Sequence, residues 1–215
     1  MANRSGGIPT ERNVTNDIMF DYESAKWLFE WLYSNLLMPF RWYSPRKGLD
    51  ACCGTGVLGR ALSEYVRYVD YVDIKQYAGG VKVNLIDILE FKADKFSDKY
   101  DAIICNPPWS PVDLSEKIYH HLLGLLKPHG WLYFIINYAF INTGWKRGAK
   151  LGKGIQIPLP RYTFHKSLKI CKPESTGLLD PVLMINRQDS IDPPFFCPIP
   201  PEICKTDQRL LGVEN

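Results

Sequence analysis

The stretch GLDACCGTGVLGRAL, from Gly48 to Leu62, constrains the fold more than any other part of the chain. It begins as a short apolar strand, passes through Gly54, Gly56 and Gly59, and continues with the apolar spacing of a helix. Glycines between a strand and a helix permit a tight turn and a close approach of backbone to neighbouring groups. The unit is therefore the opening of a βα arrangement. A following parallel strand can then be reached only by a crossover across one face of the sheet.

Other segments fit that plan. DYESAKWLFEWLYSNLL carries apolar residues at helical spacing and predicts an amphipathic helix from Tyr22 to Leu37. YVDYVDI reads as a second strand with Asp73 near its end, VKVNLIDILEF as a third with Asp87 in or just beyond it, and YDAIICN as a fourth. Leu114 to Leu126 reads as a helix stopped by Lys127, Pro128 and Gly130, and WLYFIINYAFI as a strongly apolar fifth strand. The KQYAGG connection between the second and third strands is short for a full crossover helix, so that helix is expected to be reduced or missing. The expected class is α/β, a doubly wound, mostly parallel sheet with helices on both faces. LPRYTFHKS and DPVLMINR are candidate final strands, forming an antiparallel hairpin that closes the sheet.

With 215 residues, 46% of them hydrophobic, the chain can bury one sizeable core. The expected organisation is a flexible N-terminus over residues 1–13, one domain over 14–187, and a proline-rich tail over 188–215 that holds no regular structure. A net charge of +3 permits an anionic partner without requiring one. None of the six cysteines forms a C-x-x-C pair, so metal-ligand spacing is absent and no metal is expected. Reduced thiols in a cytoplasmic protein are the expectation. MANRSGGIPTERN lacks the apolar core of a signal peptide, and no apolar run is long enough to cross a bilayer.

Two motifs carry chemistry. The first is the glycine loop, whose Gly54, Gly56 and Gly59 have G-x-G-x-x-G spacing. Such a loop suits a dinucleotide or S-adenosylmethionine (SAM), both of which contain a ribose and an adenine. Asp73 lies at the distance where a carboxylate meets ribose hydroxyls. Asp50 favours SAM, because a carboxylate there attracts an ammonium and sulfonium group but repels a pyrophosphate. The plainer alternative is that the glycines only make a tight turn, with Asp73 and Asp87 as solvated or capping carboxylates. The second motif is Asn106-Pro107-Pro108-Trp109, at the end of the fourth strand, where ligands sit in a doubly wound sheet. Alone it is also compatible with a turn opener and a core tryptophan.

Together, DACCGTG (Asp50 to Gly56) and NPPW (Asn106 to Trp109) resemble the class I SAM-dependent methyltransferases that modify amino groups. Within these the sequence is most similar to the N6-adenine DNA methyltransferases, over roughly Phe20 to Arg187. The resemblance implies a Rossmann-like methyltransferase sheet with SAM as cofactor. Cofactor contacts are implied for Asp50, Cys52, Gly54, Thr55, Gly56, Asp73, Ile74, Asp87, Ile88 and Asn106, with Asp87 meeting the adenine amino group and Ile74 packing on its ring. Phe20 and Tyr22 resemble, loosely, a cofactor-covering segment.

The resemblance also gives the second motif a reaction. An exocyclic amine is a poor nucleophile because its lone pair is delocalised into the ring. Two acceptors aimed at its hydrogens, the Asn106 side-chain oxygen and the Pro107 carbonyl, draw that lone pair out. Pro107 and Pro108 stiffen the backbone that carries the acceptors. Trp109 stacks on the extruded base.

Substrate contacts are expected from Trp109, from Phe164 as a wall of the base pocket, and from Lys146 and Arg147 in the basic, glycine-rich segment GWKRGAKLGKG, which can hold phosphates without reading bases. The seventy or so residues after the fifth strand are expected to be too few for an independent recognition domain. Relaxed sequence preference or a separate specificity subunit is expected. DNA is the first substrate; RNA adenine and a glutamine amide in protein stay open, since the same motif serves both. A nicotinamide-dependent oxidoreductase or a catalytically silent nucleic-acid-binding module would leave the second motif without a role.

Overall fold

The computed structural model describes residues 22–35, 46–77, 80–108, 112–137, 155–158, 181–187 and 195–196. In chain order the elements are α1 (Tyr22–Asn35), β1 (Lys47–Ala51), α2 (Val57–Leu62), β2 (Tyr68–Asp73), β3 (Asn84–Leu85), β4 (Tyr100–Cys105), α3 (Val112–Leu125), β5 (Leu126–Asn137), β6 (Ile155–Pro158), β7 (Pro181–Arg187) and β8 (Phe195–Phe196). A short 3-10 turn, Phe96–Asp98, precedes β4.

The strands form one sheet in the order β3-β2-β1-β4-β5-β7-β6-β8. β1 to β5 are parallel, and β7 is antiparallel to both β5 and β6. The order reverses between β1 and β4, and that switch point is where an open α/β sheet offers a crevice to a ligand.

Side-chain alternation along the strands builds two apolar layers. Ala102, Ile104, Tyr133, Ile135, Leu183 and Ile185 face one side and pack with α1 and α2. Leu49, Ala51, Ile103, Cys105, Leu132, Phe134 and Ile136 face the other and pack with α3. In α1, Ala25, Leu28, Phe29 and Leu32 fall on one helical stripe and are buried. Ile118, Tyr119, Leu122 and Leu125 do the same in α3. Tyr119 meets Phe134 edge-on at 5.3 Å, and Phe29 meets Tyr133 edge-on at 5.9 Å. Helices on both faces make the three-layer arrangement expected from the sequence.

The amino end of the sheet is tied by charge. Asp101, 2% exposed, accepts the Arg46 and Lys47 amides at 2.9 Å each and is paired with Lys127 Nζ at 3.0 Å. Tyr100 donates its hydroxyl to Asp70 at 2.8 Å, and Lys47 lies over the Tyr100 ring. These contacts stiffen the end opposite the carboxyl ends of the strands.

The structure departs from the sequence reading in three places. The third strand, expected over 81–91, is confined to Asn84–Leu85. Both residues are exposed, as suits a short edge strand, and a turn in which Glu90 N bonds Asp87 O ends the extended run. The neighbour of β7 is β6 over residues 155–158, while the expected strand over 159–167 falls outside the described residues. Within the proline-rich tail, expected to hold no regular structure, Phe195 and Phe196 pair in parallel with β6. Between β2 and β3 no helix is found among the described residues, as the short connection predicts. The remainder of the tail and the basic segment 144–154 fall outside the described residues.

Candidate active site

The parallel registers align the ends of the central strands. Ala51 pairs with Val72 on one side and with Cys105 on the other. Cys52, Asp73 and Asn106, each the next residue on, are therefore level with one another at the carboxyl edge of the sheet. Asp73 also pairs with Leu85, which brings Ile86 and Asp87 to the same edge.

The glycine loop is the tightest part of this edge. Cys52, Gly54 and Gly56 all adopt positive φ, at 56°, 54° and 77°. Glycine takes that region freely; Cys52 does so at a cost. The loop is closed by Gly56 N to Cys53 O at 2.8 Å and anchored to β2 by Cys53 N to Val72 O at 3.1 Å. Two glycines are also required by what lies against them. A Cβ on residue 56 would stand 2.3 Å from Val81 Cγ2, and one on residue 59 would stand 2.4 Å from Tyr71 Cε1.

Two carboxylates hold the loop from different sides. Asp73 Oδ2 accepts the Gly54 amide at 2.9 Å, and its Oδ1 accepts the Lys75 amide at 3.1 Å. Asp50 is fully buried. Its Oδ2 accepts the Gly59 amide at 2.7 Å, while its Oδ1 has no hydrogen-bond partner. Burial pushes the Asp50 carboxyl well above the usual carboxylate range; the Gly59 amide opposes that shift and the charge of Asp73 adds to it. Burial, with the charge of Asp50, raises Tyr71 to about 12, so it stays a neutral hydroxyl. Cys53 and Cys105 are likewise pushed up by burial and are neutral thiols. Cys52 packs on the same apolar layer as Cys105 and adds to the upward push on its thiol.

The remaining expected residues divide. Ile74 is 68% exposed immediately beyond Asp73, where an apolar side chain has no packing reason to stand. Thr55 is half-buried in the loop. Asp87 is exposed, and its Oδ1 accepts the Leu89 amide at 2.9 Å, the capping use that a carboxylate after a strand often has. Ile88 is 4% exposed and packs in the core, so its side chain serves the fold and only its backbone is left for a ligand. Asn106 is half-buried, Pro107 is buried, and Pro108 is half-buried just past β4. Trp109, Lys146, Arg147, Phe164 and Phe20 lie outside the described residues. Tyr22, at the start of α1, has Arg60 over its ring at 5.4 Å, so it joins α1 to α2.

Three contributors are absent from the sequence reading: Tyr71 and Val81, which press on the glycines, and Ser115, whose hydroxyl donates to the Pro108 carbonyl at 2.6 Å. Tyr71 sits two residues before Asp73 in a strand pattern, and nothing in its spacing separates it from an ordinary strand residue. A serine amid the apolar stripe of α3 was the available signal for Ser115.

The fold has known counterparts. Over 96% of this chain and 73% of theirs, the coordinates superpose on a Listeria monocytogenes protein assigned to the class I SAM-dependent methyltransferases, with a TM-score of 0.61 at 17% identity. The fold is that of a class I methyltransferase. At that identity the likeness is one of fold. The N-methyltransferase NodS of Bradyrhizobium japonicum superposes more loosely, with a TM-score of 0.49 and 12% identity over 76% of this chain and 88% of that one. In sequence, an uncharacterized methyltransferase of Schizosaccharomyces pombe is 27% identical over 40% of this chain. The match spans 36% of that relative's length. No protein-family model matches the chain. Among the described residues no helix is long and apolar enough to cross a membrane.

Proposed function

We propose that the protein is a SAM-dependent methyltransferase that modifies the exocyclic N6 amine of an adenine extruded from DNA. One observation carries the reading. The strand registers bring the glycine loop, Asp73 and the Asn106-Pro107-Pro108 turn to the same level of a methyltransferase sheet. A cofactor site and an amine site then share one edge.

The residues present fit SAM. Asp50 Oδ1 is a buried acceptor without a donor, and a cationic amino-acid end answers it. Gly56 and Gly59 leave no room for side chains, so a ligand meets bare backbone there. Asp73 accepts the Gly54 and Lys75 amides at the sheet edge, where a carboxylate suits ribose hydroxyls. The exposed Ile74 offers an apolar face for an adenine ring. This set also disfavours a dinucleotide, whose pyrophosphate would meet the carboxyl of Asp50.

When bound, SAM supplies an electrophilic methyl: the new N–C bond forms as the S–C bond breaks, leaving a neutral thioether. The chain's own part is to orient the amine. The Asn106 amide oxygen and the Pro107 carbonyl accept its two hydrogens, which localises the lone pair for in-line attack. The proton leaves the nitrogen after transfer, so no strong general base is required.

Incubation with methyl-labelled SAM and, separately, duplex DNA, RNA and protein tests the reading. Label recovered in DNA as N6-methyladenine supports it. Label confined to RNA adenine or to protein glutamine overturns the DNA reading and moves the same chemistry to another polymer. Label in no amine overturns it.

A further inference from the structure

The Asn106-Pro107-Pro108 turn leaves β4 and must present its acceptors without drifting. Prolines fix φ but leave ψ free, so Pro108 can still rotate the peptide that joins it to Trp109. Something else has to hold that peptide. The geometry points to Ser115 as the positioning residue of this turn.

Ser115 lies in α3 and is 0% exposed. A helical serine ordinarily bonds a carbonyl within its own helix or turns to water. Ser115 does neither: its hydroxyl reaches out of the helix to the Pro108 carbonyl at 2.6 Å. The bond holds the Pro108 carbonyl in one direction and so restrains the ψ of Pro108. Around Ser115, Ile118, Tyr119 and Leu122 anchor α3 to the sheet, so the hydroxyl is held on a rigid element. Ser115 touches neither substrate nor cofactor in this account; it acts through the turn. The inference rests on the amine-methylation reading above.

The test compares Ser115→Ala, Ser115→Cys and Ser115→Thr in the full chain. Alanine removes the hydroxyl, cysteine keeps the volume with a much weaker donor, and threonine restores the donor. Three readouts are needed: hydrogen exchange at the Asn106 and Trp109 amides, the dissociation constant of SAM, and kcat against KM for the methylated polymer. In the Ala and Cys variants both amides are expected to exchange about tenfold faster, and kcat to fall about tenfold to a hundredfold, the cost of a small misplacement at a reacting centre. SAM binding is expected to stay within about twofold, because the cofactor contacts lie elsewhere on the edge. Threonine is expected to restore exchange and kcat together. A kcat within about twofold of the parent in the Ala or Cys variant overturns the inference, as does a loss that falls on SAM binding or that Thr does not rescue. If the parent protein methylates no amine, the functional reading fails by itself. The tether is then judged on exchange alone, and unchanged exchange at both amides overturns it.

Discussion

Asp50 Oδ2 accepts the Gly59 amide at 2.7 Å, and a Cβ on residue 59 would stand 2.8 Å from that same oxygen. The last strand residue but one of β1 and the middle of α2 are thus joined with no space between them. Gly59→Ala has to displace both the carboxylate and the Tyr71 ring, 2.4 Å from the new methyl. Neither is the free end of a flexible side chain. The expected cost is about 1–3 kcal/mol, the usual range for overpacking. In a chain of this size that lowers Tm by about 2–4 °C per kcal/mol. Thermal unfolding of the ligand-free variant measures it, and an unchanged Tm would show that this packing is looser than described.

Asp50 makes two pH-dependent predictions of opposite sign. Its carboxyl is held above the usual range mainly by burial, so the folded protein keeps that proton to higher pH than the unfolded chain does. Stability of the ligand-free protein therefore falls as pH rises from the unfolded value through the raised one. SAM carries the opposite demand, since its cationic end binds the ionised carboxylate. Affinity for SAM should climb over the same window and then level off. Calorimetric titration from about pH 5 to about pH 8 brackets the region above an ordinary carboxylate. Asp50→Asn should flatten both slopes and weaken SAM binding at neutral pH. A variant that binds SAM as the parent does would remove Asp50 from the cofactor site.

Cys52 is a side-chain-bearing residue at a φ of 56°. That conformation costs about 1–2 kcal/mol for an L-residue and is worse for a β-branched one. Cys52→Gly relieves the strain but gives up the packing of a half-buried thiol, so its stability should stay within about 1 kcal/mol of the parent. Cys52→Val keeps apolar volume and adds branching, and should lose about 1–3 kcal/mol. Denaturant unfolding of the pair separates backbone strain from side-chain packing. Equal stabilities for the two variants would mean that the backbone relaxes away from positive φ.

The helices are legible through apolar periodicity, which core contacts demand in α1 and α3, and the central strands β4 and β5 through continuous apolar runs, since both of their faces are covered. β3 was overread because an edge strand is held from one side only; Asn84 and Leu85 face solvent, and the apolar run around them belongs partly to the turn and core at Ile88. β6 was missed because four residues paired across a long connection carry no local pattern of their own. The site divides along the same line. Gly54, Gly56, Asp50 and Asp73 could be read because a strand-to-helix turn has a spacing. Ser115 showed only as a serine amid an apolar stripe; its partner, seven residues away around a turn, is a product of folding rather than of pattern.

Asn106 carries the strongest functional prediction. It stands one residue beyond β4, level with Cys52 and Asp73, and the turn behind it is stiffened by two prolines and by the Ser115 bond. If its amide oxygen localises the lone pair of the amine, that contact matters far more in the transition state than in the ground state. Its loss should then appear in kcat. Asn106→Ala should lower kcat by about a hundredfold to a thousandfold, the scale of removing one preorganised polar contact. Asn106→Asp tests the same point from another side: it keeps an acceptor but loses the amide donor, so a partial recovery of kcat is expected. The adjoining loop and Asp50 are untouched by either change, so SAM binding should hold to within about threefold. Single-turnover methyl transfer, run beside equilibrium SAM binding, resolves the two effects. Full activity in Asn106→Ala would mean that the turn positions the substrate by shape alone and that its amide is a structural residue.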